Sequence, residues 1–170
     1  YFIRDKIENQ KCIIINRALK FYNISIEAED NLYNGTILDG EVIFNDETKK
    51  WEFVIHDALM LCGNKINKLT HSVRLSDTNM CIQSLINNYN NTNTFNLVVK
   101  KFYLFSEIDN FIDDIYSKSI NNDGIIFMPE MLPVISGTQY SMLKWKPENQ
   151  HTFDFLIKEN ENNLEAHVFH

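Results

Sequence analysis

Two strand-like runs with a polar turn between them constrain the fold of this chain more than any other feature. The runs cover residues 36–44 and 51–60, and the connecting residues 45–50 are all polar. Runs rich in β-branched and aromatic residues on either side of a short polar segment are typical of a β-hairpin. The pattern therefore predicts a pair of antiparallel strands.

The rest of the sequence predicts short strands and two helices. Further strand-like runs lie at residues 12–16, 95–105, 125–128, 140–146 and 152–157. Apolar residues with roughly helical spacing over 67–88 predict one helix, with a break near Ser76 and Asp77. Ser106, followed by Asp109, predicts the N-cap of another helix. Together these elements predict an α+β domain with a mainly antiparallel sheet system.

Composition narrows the class of protein. A length of 170 residues predicts one domain with a core of its own. The net charge of −7 argues against a broad nucleic-acid-binding surface, so any RNA contact is expected to be local or to come from another domain. No apolar run reaches about 18 residues, so no membrane span is predicted. The widely spaced Cys12, Cys62 and Cys81 predict reduced thiols of an intracellular protein and argue against a zinc site.

Two lysines near the end of the chain form the first candidate site. Lys144 and Lys146 flank Trp145 in a strand-like segment, so both lysine side chains are expected on one face. Two ammonium groups on one face can hold a phosphate, and carboxylates beside them could hold a metal ion, which suggests chemistry on a nucleoside triphosphate. Trp145 is expected to point to the opposite face and to be buried.

Two Asp-Gly pairs, at residues 39–40 and 123–124, lie upstream of the lysines in strand-like contexts. Glycine weakens the interior of a strand, so it usually marks a bulge or a close approach of two backbones. The alternative is that each pair forms a simple hairpin turn. The presence of the lysine pair favours the first interpretation.

Five segments, in this order, resemble the motifs of the covalent nucleotidyltransferase superfamily, and most closely those of mRNA capping enzyme guanylyltransferases. They are Asn16-Arg17, Asp39-Gly40-Glu41, residues 53–59, Asp123-Gly124-Ile125-Ile126-Phe127, and Leu143-Lys144-Trp145-Lys146-Pro147 followed by Thr152-Phe153-Asp154-Phe155. The resemblance implies a nucleotidyltransferase domain of the ATP-grasp-like, DNA-ligase type, in which antiparallel β-sheets are flanked by helices.

The resemblance also implies which residues contact the base. Ile126 matches the aliphatic residue under the purine. His56 stands where the family usually has Phe or Tyr, and an imidazole can stack on a purine with less area than a phenyl ring. Phe53, an odd number of positions away, is expected to face the core. Lys100 resembles the lysine that reads the guanine edge, and Lys101 is the competing choice.

Sugar, phosphate and metal contacts follow from the same resemblance. Arg17 matches the arginine that contacts the ribose. Glu41 matches a glutamate that helps to bind the sugar and the metal, and Asp123 is the second candidate metal ligand. Lys144 and Lys146 match the lysines that stabilise charge on the α-phosphate. The implied cofactor is Mg²⁺ or Mn²⁺, which favours one or two carboxylates together with phosphate oxygens.

The implied reaction begins when a lysine amine attacks the α-phosphate of GTP and expels pyrophosphate. The resulting lysyl-GMP then passes GMP to a 5′-diphosphate RNA end. The family places the attacking lysine in a Lys-x-Asp-Gly motif, which does not occur in these 170 residues. We therefore expect a fragment of a longer capping enzyme. Its other parts would be an OB-fold domain and triphosphatase and methyltransferase domains or subunits. The Asn-rich composition together with the resemblance suggests a large DNA virus or an A/T-rich protist as the source.

On this interpretation residues 1–158 form the nucleotidyltransferase domain, incomplete at its start. Residues 159–170 are a linker or the start of the next element, with a further strand over 164–169. Two alternatives remain open: an ATP-dependent DNA or RNA ligase, and a non-catalytic module of the same fold. The Lys-Trp-Lys-Pro form counts against a ligase. The presence together of Arg17, Glu41, Asp123 and both lysines counts against a module that has lost its activity.

Overall fold

The computed structural model describes residues 1–5, 9–86, 95–116, 123–135, 137–148, 155–160 and 163–168. The chain forms two compact units, where its length alone predicts one domain. The first unit comprises Tyr1–Leu104 with Met128–Ser141, and the second comprises Phe105–Phe127 with Met142–His170. Within the described residues, no helix is long and apolar enough to cross a membrane.

The first unit begins with a three-stranded antiparallel sheet. Its strands are β1 (Phe2–Arg4), β2 (Gln10–Ile15) and β3 (Phe21–Ile24), in that order across the sheet. A 3₁₀ turn follows at Asp30–Tyr33. The sheet is tied to the next strand by two backbone hydrogen bonds between Phe2 and Thr36, at 2.9 and 3.0 Å.

The predicted hairpin is confirmed. Strand β4 (Ile37–Asn45) pairs antiparallel with β5 (Lys50–Leu61), and the side chain of Asn45 accepts backbone hydrogen bonds from Glu47 and Thr48, which closes the turn. The other edge of β5 pairs with two short strands. These are β6 (Asn64–Lys65), which is antiparallel to β5, and β7 (Phe95–Val99), which is parallel to it.

One helix, α1 (His71–Ile86), runs between β6 and β7. The predicted break near Ser76 and Asp77 is wrong, because the helix continues through both residues. Ser76 lies on the exposed side of the helix, where a polar side chain disturbs neither packing nor the backbone ladder. The buried stripe contains His71, Arg74, Leu75, Thr78 and Ile82, which recur at the spacing of a helix face.

The core of the first unit is a single cluster of buried apolar side chains. It is formed by Phe2, Cys12, Ile26, Ala28, Leu32, Tyr33, Leu38, Ile55, Ala58, Leu61, Ile66 and Ile82. Burying a residue such as Ile55 completely stabilises the fold by about 1.5–3 kcal/mol. Cys12, Cys62 and Cys81 are not joined by disulfides.

The second unit contains short elements. A 3₁₀ turn (Phe105–Glu107) leads into helix α2 (Ile108–Phe111) and a π-helical turn (Ile112–Tyr116). Strands β8 (Ile125–Phe127) and β9 (Leu143–Trp145) form one antiparallel pair, and β10 (Phe155–Asn160) and β11 (Asn163–Val168) form another.

Several predicted boundaries differ from the structure. Ser106 is not an N-cap: it lies inside the 3₁₀ turn, and Glu107 precedes α2 without a side-chain capping bond. The strand predicted over 95–105 ends at Val99, and that over 140–146 is reduced to β9. Residues 152–154 lie outside the described residues. Strand β10 continues to Asn160, and β11 agrees with the strand predicted from residue 164.

Candidate functional site

The sheet of the first unit brings three of the predicted site residues close together. Glu41 is the cross-strand partner of Val54, and Val54 is the partner of Val98. His56 and Lys100 each lie two residues beyond these valines, and His56 is the extra residue of the bulge between β4 and β5. Lys100 and Glu41 both act electrostatically on His56, so the three side chains lie near one another. The backbone N–H of Lys100 donates to the carbonyl of Ile55 at 2.8 Å, which extends the β5–β7 ladder to this point.

The opposite face of the same sheet belongs to the core. Ile55 is fully buried, and Phe53 packs against the core cluster, as its odd separation from His56 predicts. The alternation therefore separates a packed face from an open face that carries polar side chains.

His56 combines a lowered pKa with an unpaired polar atom. Burial lowers the pKa of His56 and nearby Lys100 lowers it further, while Glu41 and Asp39 act in the opposite direction. The ring atom Nε2 is buried and has no hydrogen-bond partner among the described residues. Buried polar atoms are nearly always paired, so an unpaired nitrogen at this position is unusual.

The two candidate lysines after β7 have different surroundings. Lys100 acts electrostatically on His56. Lys101 instead places its Nζ atom over the ring of Tyr103, 4.6 Å from the ring centroid. The geometry thus associates Lys100, and not Lys101, with the open face.

Arg17 lies in the turn that joins β2 to β3. The side chain of Asn16 holds this turn by accepting backbone hydrogen bonds from Ala18 and Lys20, both at 3.0 Å. Arg17 is exposed. In the part of the chain that the structure describes, it forms no hydrogen bond or ion pair with Glu41, His56 or Lys100. Asn16 therefore has a structural role, because its side chain closes the turn that carries Arg17. The contact between Arg17 and the ribose stays a prediction.

The second unit places two lysines on one carboxylate. Lys144 Nζ lies 2.5 Å from one oxygen of Asp123, and Lys146 Nζ lies 2.5 Å from the other. The prediction that both lysines share a face is therefore confirmed. Hydrogen bonds from Lys144 and then Lys146 lower the pKa of Asp123 to about 2. Ile126 is the cross-strand partner of Lys144, so these two side chains also share a face.

The prediction that Trp145 is buried is wrong. Its side chain is 48% exposed and contacts the ring of Tyr116 at a centroid distance of 6.1 Å. The alternation that turns Trp145 away from the lysines holds, but the residues described on that side cover only part of the ring.

Both Asp-Gly glycines are sites of close backbone approach and not hairpin turns. A Cβ atom on Gly40 would lie 2.3 Å from the carbonyl oxygen of Val54, at a register irregularity between β4 and β5. A Cβ atom on Gly124 would lie 2.1 Å from the carbonyl oxygen of Trp145, and its φ of +103° is unfavourable for other residues. These contacts explain why glycine follows Asp39 and Asp123.

The described residues do not form a ready metal site. No group of three or more His, Cys, Asp or Glu side chains among them could hold a metal ion. Both oxygens of Asp123 are occupied by lysines. A cation suits this position only together with an anion that takes over the lysine charges, as the phosphates of a nucleotide would.

Three buried residues beneath the open face, Arg74, Asp57 and His71, were given no role from the sequence. Arg74 is 1% exposed and pairs with the buried Asp57 through contacts of 2.6 and 2.7 Å. His71 is 4% exposed and its Nε2 lies 3.2 Å from the carbonyl oxygen of His56. For His71 and Arg74, the sequence signal was a polar residue at a position with the spacing of the buried helix stripe.

Comparison with known proteins places the chain in a family. The family model described as mRNA capping enzyme, catalytic domain, matches residues 1–148. The chain belongs to this family. It is 29% identical to a protein named mRNA-capping enzyme subunit alpha from Schizosaccharomyces pombe, covering 93% of this chain and 48% of that protein.

A second relative of the same name comes from Saccharomyces cerevisiae. It is 27% identical to this capping-enzyme domain, over 87% of the chain and 38% of the relative. The chain thus spans less than half the length of either protein. Both relatives are fungal, and the large DNA virus remains a prediction about the source.

Proposed function

We propose that this chain is the guanylyltransferase domain of an mRNA capping enzyme. It would transfer GMP from GTP, through a lysyl-GMP intermediate, to a 5′-diphosphate RNA end. The observation that carries the proposal is the pair of lysines on Asp123, with one Nζ atom on each carboxylate oxygen. Two ammonium groups arranged in this way on two oxygens of one anion can bind two oxygens of a phosphate equally well.

The open face of the first unit supports recognition of the purine. His56 would stack on the base, an interaction worth roughly 1–3 kcal/mol in comparable sites. Lys100 would donate to acceptors on the guanine edge, and its electrostatic influence on His56 favours it over Lys101. Glu41 and Arg17 would bind the sugar. Ile126, on the same face as Lys144, would pack under the base.

A divalent cation would enter with the triphosphate. Asp123 and Glu41 are the proposed protein ligands for Mg²⁺ or Mn²⁺, which would neutralise phosphate charge when bound. Lys144 and Lys146 would then exchange the Asp123 carboxylate for oxygens of the α-phosphate. In this exchange the lysines would keep an anionic partner, because the phosphate replaces the carboxylate, and Asp123 would keep a cationic partner in the metal ion.

The lysines would act on the step in which the α-phosphate gains charge. A lysine amine forms a bond to the α-phosphorus, the bond to the β-phosphate oxygen breaks, and pyrophosphate leaves with its electron pair. Lys144 and Lys146 would stabilise the equatorial oxygens throughout. We assign no residue of this chain to the attacking amine, since Lys-x-Asp-Gly does not occur in it.

Replacement of one lysine tests the proposal. In the full protein, Lys144→Ala is expected to abolish or nearly abolish the covalent protein–GMP adduct, because the charge on the α-phosphate loses a donor. The adduct is measured after denaturation with GTP labelled at the α-phosphate. Lys158→Ala is the matched control, since Lys158 is an exposed lysine of β10 in the same unit. Wild-type adduct levels in Lys144→Ala would show that Lys144 is only a surface residue.

The base of the nucleotide that forms the adduct distinguishes a guanylyltransferase from a ligase. The full protein is incubated with GTP or with ATP, each labelled at the α-phosphate, and GTP is expected to give the adduct while ATP is not. An adduct from ATP alone would favour an adenylating ligase. The absence of an adduct with either nucleotide would favour the non-catalytic module.

A further inference from the structure

His71 joins the two residues that we propose to contact the base. It is the first residue of α1 and is buried beneath the open face of the sheet. Its Nε2 atom lies 3.2 Å from the carbonyl oxygen of His56. Its ring packs edge-to-face against Phe102, at a centroid distance of 4.6 Å and an interplanar angle of 83°. Phe102 is two residues beyond Lys100.

The chemistry of this contact fixes the form of the ring. A carbonyl oxygen can only accept a hydrogen bond, so Nε2 of His71 carries the proton and donates it. His71 therefore donates a hydrogen bond to the β5 backbone at His56. Its ring also contacts the segment that follows β7, in which the backbone N–H of Lys100 donates to the carbonyl of Ile55.

His71 is itself held from several directions. Its backbone N–H donates to the carbonyl of Glu130 at 2.8 Å. The Glu130 carboxylate accepts from the backbone and the hydroxyl group of Ser72, and the Ser72 hydrogen bond is the main reason that the pKa of Glu130 is lowered. One turn further along the helix, Arg74 forms its buried pair with Asp57. The start of α1, which carries His71, is thus anchored at several points.

We infer that His71 is a positioning residue that sets the spacing between His56 and Lys100, and through it the preference for guanine over adenine. The inference rests on the proposed function. A lysine ammonium group only donates hydrogen bonds. Guanine offers two acceptors, N7 and O6, on the edge where adenine carries one acceptor and an amino donor. A lysine held at the right distance from the stacked base distinguishes the two, and a displaced lysine does not.

Two substitutions separate the hydrogen bond from the packing. His71→Phe keeps an aromatic ring against Phe102 and removes the donor to His56. His71→Gln places an amide N–H near the position of Nε2 and can keep the bond. Val73→Ala, at a 42% exposed position of the same helix, is the control for general effects on α1.

Affinities for GTP and ATP are measured on the full protein by calorimetry, with thermal unfolding of each variant alongside. In His71→Phe the ratio of GTP to ATP affinity is expected to fall about three- to tenfold, the effect of one hydrogen bond. His71→Gln and Val73→Ala should keep the wild-type ratio. If His71→Phe does not fold, His71→Asn takes its place, because its shorter amide cannot reach the carbonyl, and the same fall is expected.

Each other result overturns the inference. Equal losses for GTP and ATP in His71→Phe would show that His71 only supports the fold. A fall in His71→Gln as large as in His71→Phe would show that the bond to His56 is not the cause. A wild-type protein that binds no GTP would remove the proposed function and this inference together. A wild-type preference for GTP that His71→Phe leaves unchanged would remove the inference alone.

Discussion

At the scale of single residues, charge balance decides how the candidate phosphate site is held. Asp123 lies between Lys144 and Lys146 and gives each of them one oxygen. The site is exposed, so its ion pairs contribute little to stability and are screened by salt. Their importance is geometric, because they keep two flexible side chains on one face.

The titration of Asp123 tests this geometry. Its pKa in the folded protein is lowered to about 2, against about 3.9 for an ordinary Asp side chain. A lowered carboxyl pKa means that the stabilisation is present above the ordinary value and is lost as the pH falls towards about 2. Carbon-detected NMR of the Asp123 carboxyl group is expected to show the low midpoint. Lys158→Ala should leave it unchanged, whereas Lys144→Ala together with Lys146→Ala should return it to the ordinary range.

His56 gives a second prediction at the same scale. His56→Phe is expected to retain or improve GTP binding, because a phenyl ring stacks with more area than an imidazole. Binding is measured by calorimetry on the full protein, with Val54→Ala as a control on the same face. A large loss of affinity would show that the unpaired Nε2 atom makes a polar contact with the nucleotide.

At the scale of elements, Gly124 allows the two strands beside the lysine pair to approach each other closely. Gly124 combines a left-handed φ with the close approach of the Trp145 carbonyl oxygen, which aligns β8 with the strand that carries the lysines. Gly137 has a similar φ of +93°, but a Cβ atom there would meet nothing within 4 Å. The two glycines form a matched pair in which only one has a steric role.

Replacement of each glycine by alanine separates backbone strain from the clash. Gly137→Ala carries only the left-handed conformation, a cost of about 1–2 kcal/mol. Gly124→Ala carries the same cost and must also push β8 away from β9, so it is expected to weaken GTP binding as well as stability. Urea unfolding and calorimetry measure the two effects. Equal stability and equal GTP affinity in both variants would contradict the role assigned to Gly124.

Local sequence patterns predicted which strands and helices exist better than they predicted the residues at which each one begins and ends. The β4–β5 hairpin and the shared face of the two lysines follow from alternation, which depends only on neighbours in sequence. The predicted break at Ser76 was wrong because a local polar signal was compatible with an exposed helix side. The Arg74–Asp57 pair and the His71–His56 bond could not be predicted, because each joins distant segments that only the folded chain brings together.

At the scale of the whole molecule, family membership and local chemistry agree. The chain belongs to the mRNA capping enzyme catalytic domain family. The proposed function assigns residues of each unit to a different part of GTP. A net charge of −7 fits a protein that contacts an RNA end and not a long RNA surface.

The most direct test of this account follows the fate of each phosphate. The full protein is incubated with a divalent cation and with GTP labelled at either the α- or the γ-phosphate, then denatured and separated. We expect the α-label to stay on the protein and the γ-label to leave with pyrophosphate, because in the proposed reaction the lysine pair would stabilise attack at the α-phosphate. Retention of the γ-label, or no retained label at all, would contradict guanylyl transfer by this protein.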